Sequence, residues 1–144
     1  TVAAEVMAAL AAEAHPEPDL AVVCALLHDT IEDTDVTYDM VEARFGRAVA
    51  DGVAALSKDA TLPKAEQMED SLRRIRNQPR EIWMDKLADR ITNLAEPPHY
   101  WPDAKRAAYR EEAMRIGELL GEASPHLAGR LAERIDAYLA YIHR

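Results

Sequence analysis

His28 and Asp29 stand side by side in the segment LLHDTIEDTD, and Glu32, Asp33 and Asp35 follow, so one imidazole and four carboxylates fall within eight residues. Imidazole and carboxylate donors form a nitrogen and oxygen set suited to Mn²⁺, Fe²⁺ or Zn²⁺, without the thiolates that favour a structural zinc site. Such a site leaves coordination positions open for water and phosphate. The ion would lower the pKa of its water and polarise a phosphoryl oxygen, while a nearby carboxylate orients the water or takes its proton. Those carboxylate tasks fall to Glu32 and Asp33, with His28 and Asp29 as ligands. Spacing alone equally allows His28 and Asp29 to cap a helix end beside a solvated acidic turn. A third ligand candidate is Asp89, which shares a helix face with Asn93 and Ile82. Pairing with Lys86, or with Arg90 and Arg110, is its alternative role.

The elements that must position these groups read as helices throughout. Residues 2–14 form a helix with Val2, Val6, Met7 and Leu10 on one side, broken by HPEP. Asp19 is a good N-cap for a second helix, whose Leu20, Val23, Leu26 and Leu27 carry it inward to His28. Thr37 caps a helix through Phe45 that Gly46 closes, and an apolar-faced segment follows at 48–56. Pro63 suits the first turn of a polar helix to about Asn77. Trp83, Leu87, Ile91 and Leu94 at helical spacing define a helix over 80–95, ended by Pro97 and Pro98. Two further helices run from Asp103 to Leu120, and from Ser124, with Pro125 at the first position, to Ile142. Strand alternation is absent from the pattern. The expected fold class is all-α, a compact helical bundle.

At 144 residues the chain fits a single domain over 1–144, and no Met precedes Thr1, which leaves room for a further N-terminal part of that domain. A net charge of −9 argues against a nucleic-acid partner, since such proteins need a surplus of Lys and Arg. A small anionic substrate stays open, given a bound cation and a local basic rim. No apolar stretch approaches the roughly 18 residues of a membrane span. The lone cysteine, Cys24, sits in AVVCALL as a small buried hydrophobe, and a reducing, cytoplasmic setting fits best.

Taken together, ALLHDTIEDTDVT, FGRAVADGVAALSKD and KLADRITNL resemble the hydrolase domain of the Rel/SpoT alarmone enzymes in order and spacing. The likeness is closer to the stand-alone small alarmone hydrolases, because TLPK at 61–64 and Trp101 followed by Tyr109 also recur. This resemblance implies an HD-domain fold and Mn²⁺-dependent hydrolysis of guanosine tetra- or pentaphosphate at the 3′-pyrophosphate, giving GDP or GTP and pyrophosphate. It implies His28, Asp29 and Asp89 as metal ligands and Glu32 and Asp33 as the pair acting on the attacking water. It further implies that Asn93, Lys64, Lys105 and Tyr109 contact the substrate, a small guanine nucleotide.

The chain departs from the family pattern in three places. Family members take a fourth metal ligand from a His in the first helix, whereas the first His here is His15, beside Pro16 in a turn. That ligand lies upstream of Thr1, or the chain binds metal weakly. The family's N-terminal basic segment is absent, and the AEPPHYW connection between Asn93 and Trp101 is shorter. Two other readings stand beside the alarmone hydrolase: an HD phosphohydrolase acting on a deoxynucleotide or NADPH, and a catalytically silent domain that binds nucleotide or a partner.

Overall fold

Side-chain caps open three of the helices. Thr1 Oγ1 accepts from the Ala4 amide, Thr37 Oγ1 from Met40 and Ser124 Oγ from Leu127, each closing the first turn of a helix. The computed structural model describes residues 1–142, so the expected domain over 1–144 extends two residues past the described ones. The helices are α1 (Val2–Ala12), α2 (Pro18–Leu27), α3 (Thr30–Asp33), α4 (Tyr38–Phe45), α5 (Arg47–Leu56), α6 (Lys64–Arg76), α7 (Arg80–Asn93), α8 (Asp103–Leu120) and α9 (Pro125–Tyr138). Short 3₁₀ turns follow α8 and α9. No strand occurs among the described residues, as the pattern predicts.

Helix α7 is the axis of the bundle, packed against α1, α2, α8 and α9. Its Ile82, Met84, Leu87, Ala88 and Ile91 are fully buried, because a helix enclosed on several sides needs apolar residues all round rather than on one stripe. Against it, α2 presents the small residues Ala21, Cys24 and Ala25, while Leu26, expected to point inward, is 67% exposed. Small side chains allow a close approach that leucines would prevent. The same close packing involves α5, where a Cβ on Gly52 would stand 2.5 Å from Ile82 Cδ1 and 3.0 Å from Cys24 Sγ. Gly46, with φ of +93°, makes the sharp turn between α4 and α5 in a region that disfavours side-chain-bearing residues.

Several boundaries differ from expectation for local reasons. Helix α2 begins at Pro18 with Glu17 as its N-cap and no side-chain cap bond, so Asp19 lies inside the first turn. Pro63 is the N-cap of α6 rather than a first-turn residue, and α7 stops at Asn93, two residues early. Helix α1 ends at Ala12, with Glu13 extended, because the Glu13 carboxylate accepts from Ser124 Oγ at 2.7 Å and from the His126 amide at 2.8 Å. Met7 is exposed and Ala9 buried in its place. The single turn α3 was absent from the sequence pattern; it follows directly on His28 and Asp29.

Two arginines fix the segments that reach the site. Arg74 donates to the carbonyls of Ala54 and Ser57, both at 2.7 Å, and so holds the end of α5 and the start of the loop to α6. Buried Arg106 donates to the carbonyls of Trp101, Tyr141, His99 and Pro98, tying the proline-rich connection to the C-terminal turn.

Candidate active site

Helix α2 ends on His28 and the single turn α3 follows, while α7 brings Asp89 from across the bundle. His28 Nδ1 lies 2.8 Å from the Ala25 carbonyl oxygen, which can only accept. Nδ1 therefore carries the hydrogen, and in the neutral ring Nε2 is left with a lone pair. That lone pair faces Asp29 Oδ2 at 3.0 Å and Asp89 Oδ1 at 3.5 Å. Two carboxylates facing this nitrogen call for positive charge between them, either a proton on Nε2 or a bound cation.

Donors sharing an ion at about 2.1 Å stand about 3 Å apart, and the two carboxylate oxygens at 3.0 and 3.5 Å from His28 Nε2 are near that spacing, with nitrogen and oxygen chemistry suited to a divalent metal. The Nδ1 bond to a carbonyl is the usual support that fixes a metal-binding histidine's tautomer. Among the described residues no group of three or more His, Cys, Asp or Glu side chains is arranged to hold a metal ion as it stands. The three donors form one open face, and His28 and Asp89 are only partly covered while Asp29 is 60% exposed. Desolvation is thus a weaker driving force for metal binding than the acidic run implies.

Asp89 is held from both sides: Asn93 Nδ2 donates to its Oδ1 at 3.1 Å, and Lys86 Nζ lies 3.6 Å from its Oδ2. Burial pushes the Lys86 ammonium below its ordinary pKa, and Asp89 opposes that shift. Both readings of Asp89 therefore meet, since it pairs with Lys86 and also faces His28.

These residues line a cavity of about 450 Å³, into whose wall Glu32 and Asp33 also project from α3. Lys64, Asn93, Lys105 and Tyr109 line the same cavity, so every residue given a ligand, catalytic or substrate role from sequence lines it, while Asp35 does not. Sequence reasoning missed Lys58, Arg90 and Glu112, which complete the lining with Leu56, Lys86 and Trp101. The basic rim that an anionic ligand needs is formed by Lys58, Lys64, Lys86, Arg90 and Lys105, within a chain of net charge −9. Lys105 Nζ lies 4.4 Å above the Trp101 ring, and Trp101 meets Tyr109 edge-on at 5.4 Å. His15 is elsewhere, with Nε2 3.0 Å from Glu13 Oε1 in the Ser124 and His126 cluster.

One turn before Asp89 on α7, Asp85 is buried and neither of its carboxyl oxygens has a hydrogen-bond partner. Burial first, and then Glu81 one turn earlier, push its carboxyl well above the usual range. Asp85 also adds to the burial that drives the Cys24 thiol up to about 12. A raised acid contributes stability that is fully present below the ordinary carboxyl pKa and is lost as pH rises through the folded value. Asp85→Asn is therefore expected to stabilise the protein at pH 7 by about 1–3 kcal/mol, the usual scale for an unsatisfied buried group. The gain should shrink towards pH 4 in urea melts; parallel stability profiles for both proteins count against this account.

No family model matches the chain. It is 35% identical over 96 residues to "Guanosine-3′,5′-bis(diphosphate) 3′-pyrophosphohydrolase MESH1" of Danio rerio, covering 64% of this chain and 53% of the relative. It is 32% identical over 111 residues to the Xenopus tropicalis protein of the same name, covering 74% of this chain and 62% of the relative. The chain thus spans less than two thirds of these relatives. A solved structure described as "a metazoan ortholog of SpoT" that "hydrolyzes ppGpp and plays a role in starvation responses" superposes with a TM-score of 0.79 at 26% identity, covering 94% of this chain and 76% of that one. The Listeria monocytogenes protein lmo0812 shares the fold, with a TM-score of 0.74 at 23% identity over 96% of this chain and 95% of that one. By sequence and fold together, the chain is similar to the Rel/SpoT-type small hydrolases, a likeness that implies metal dependence.

Proposed function

We propose that this domain hydrolyses guanosine 3′,5′-bis(diphosphate) and the corresponding pentaphosphate at the 3′-pyrophosphate, releasing GDP or GTP and pyrophosphate. The observation that carries the reading is His28 Nε2 set beside Asp29 and Asp89 inside a cavity rimmed by lysines and arginine. Names of the curated relatives and of the structural neighbour supply the substrate.

His28, Asp29 and Asp89 would hold the metal, with Mn²⁺ the leading candidate and Zn²⁺ or Fe²⁺ the alternatives. When bound, the ion supplies an acidified water and polarises a phosphoryl oxygen. Glu32 and Asp33 orient that water and accept its proton. The water oxygen bonds to the phosphorus on O3′, the bond from that phosphorus to O3′ breaks, and O3′ takes up a proton. Lys64, Lys105 and Tyr109 hold phosphates, and Asn93 holds the nucleotide while steadying Asp89. Lys86 joins the cationic rim that offsets the substrate's charge.

No helix among the described residues is long and apolar enough to cross a membrane, and the buried thiol of Cys24 accords with a reducing, cytoplasmic setting. The test is a product profile over a panel of nucleotides with Mn²⁺. GDP and pyrophosphate in equal amounts from guanosine tetraphosphate is the expected result. Turnover only of deoxynucleotides or NADPH would replace the substrate and keep the chemistry, and turnover of none would leave a silent binding domain.

A further inference from the structure

We infer that Glu112 reads the Watson–Crick edge of the purine base and sets the preference for guanine; the inference rests on the proposed hydrolysis of a guanosine 3′-pyrophosphate. Helix α8 brings Lys105, Tyr109 and Glu112 to the cavity at spacings of four and three, one face of a helix. Arg90, on α7 next to Asp89, locks two of them: it donates to the Tyr109 carbonyl at 3.2 Å and to Glu112 Oε1 at 3.3 Å. Its guanidinium also sits 4.1 Å from the centre of the Tyr109 ring. The Arg90 side chain is 5% exposed, yet the Glu112 side chain is 44% exposed. Glu112 is thus a carboxylate anchored on one oxygen by a buried cation and open to the cavity.

A carboxylate repels phosphate, so in a cavity rimmed by lysines it marks where an uncharged, donor-bearing group is received. Guanine presents two parallel donors, N1–H and N2–H, which match the two oxygens of one carboxylate. Oε1 retains a second lone pair beside the one engaged by Arg90. Adenine presents one donor beside a ring-nitrogen acceptor, whose lone pair would face an anionic oxygen. Unpaired or opposed polar groups of this kind are what let a site reject a near-isosteric base. Trp101 and Tyr109, edge to face beside Glu112, offer ring surface for the base.

The test compares kcat/KM for guanosine and adenosine 3′,5′-bis(diphosphate) with Mn²⁺ in the unmodified protein, Glu112→Gln and Glu112→Ala. In parallel, GDP and ADP dissociation constants are measured on all three. The unmodified protein should prefer guanosine. Glu112→Gln should lower the guanosine-to-adenosine ratio by roughly tenfold or more, because a carboxamide pairs one acceptor and one donor with adenine. Glu112→Ala should weaken the guanosine substrate and GDP while changing adenosine and ADP little. An unchanged ratio in both variants, with all values falling together, overturns the inference and reduces Glu112 to a brace for Arg90. Absence of hydrolysis by the unmodified protein sinks the proposed function alone, and the GDP-to-ADP affinity ratio then decides the role of Glu112.

Discussion

Glu32→Gln is expected to lower Mn²⁺-supported pyrophosphate release by on the order of a thousandfold, within the usual range for losing a positioned acid or base. Its Mn²⁺ affinity should stay close to that of the unmodified protein, because Glu32 lines the cavity wall and does not contact His28 Nε2 among the described contacts. Asp89→Ala is expected to abolish the same activity and to weaken Mn²⁺ by about 100-fold or more, a larger loss than supporting groups usually give. The difference comes from what each side chain touches. Asp89 faces His28, Lys86 and Asn93 together, so removing it opens one side of the donor face and frees two neighbours. Mn²⁺ titration calorimetry alongside steady-state kinetics separates the two effects. Undiminished turnover in both variants rules out the assigned roles.

The largest expected loss of stability is at Arg106. Arg106→Ala should cost about 3–5 kcal/mol, since it strips a buried guanidinium from the carbonyls of Trp101, Tyr141, His99 and Pro98, of which Pro98 keeps the Trp101 amide as a donor. Against a typical total of about 5–15 kcal/mol, that is a substantial share. Arg106→Lys should recover only part, because an ammonium cannot fork to the Trp101 and Tyr141 carbonyls on separate segments in the same way. The consequence reaches the site through Trp101, which the Arg106 contact holds beside Tyr109 and Lys105. Urea melts followed by tryptophan fluorescence measure both effects, and a change under about 1 kcal/mol would show that the connection holds itself.

Local chemistry made the helical scaffold readable. Thr37, Gly46 and Ser124 announce helix ends because capping is settled within a few residues. The same is true of the pairing of Asp89 with Asn93, a single helical turn. Leu26 shows where the pattern fails: hydropathy put it in the core, but α2 approaches α5 and α7 through Ala21, Cys24 and Ala25, against Gly52, so small residues took the inner face. That choice depends on the partner helices, which periodicity within α2 does not contain.

The site divides along the same line. His28, Asp29, Glu32 and Asp33 were legible because they lie within one short segment, and Lys64, Lys105 and Tyr109 entered only through family resemblance. Arg90 read as a surface ion-pair partner, yet it is buried and bound to Tyr109 and Glu112, 19 and 22 residues away. A usable signal did exist for Lys86, since residues 86, 89 and 93 share a face of α7. Glu112 gave none, being one of several acids on a charged helix until Arg90 selected it.

Crystals of the protein soaked in Mn²⁺ and measured for anomalous scattering address the metal site without relying on turnover. The account predicts a single strong peak about 2.2 Å from His28 Nε2, within bonding distance of Asp29 and Asp89 oxygens. A Mn²⁺ peak elsewhere in the molecule, with His28 Nε2 left without an ion, would contradict it.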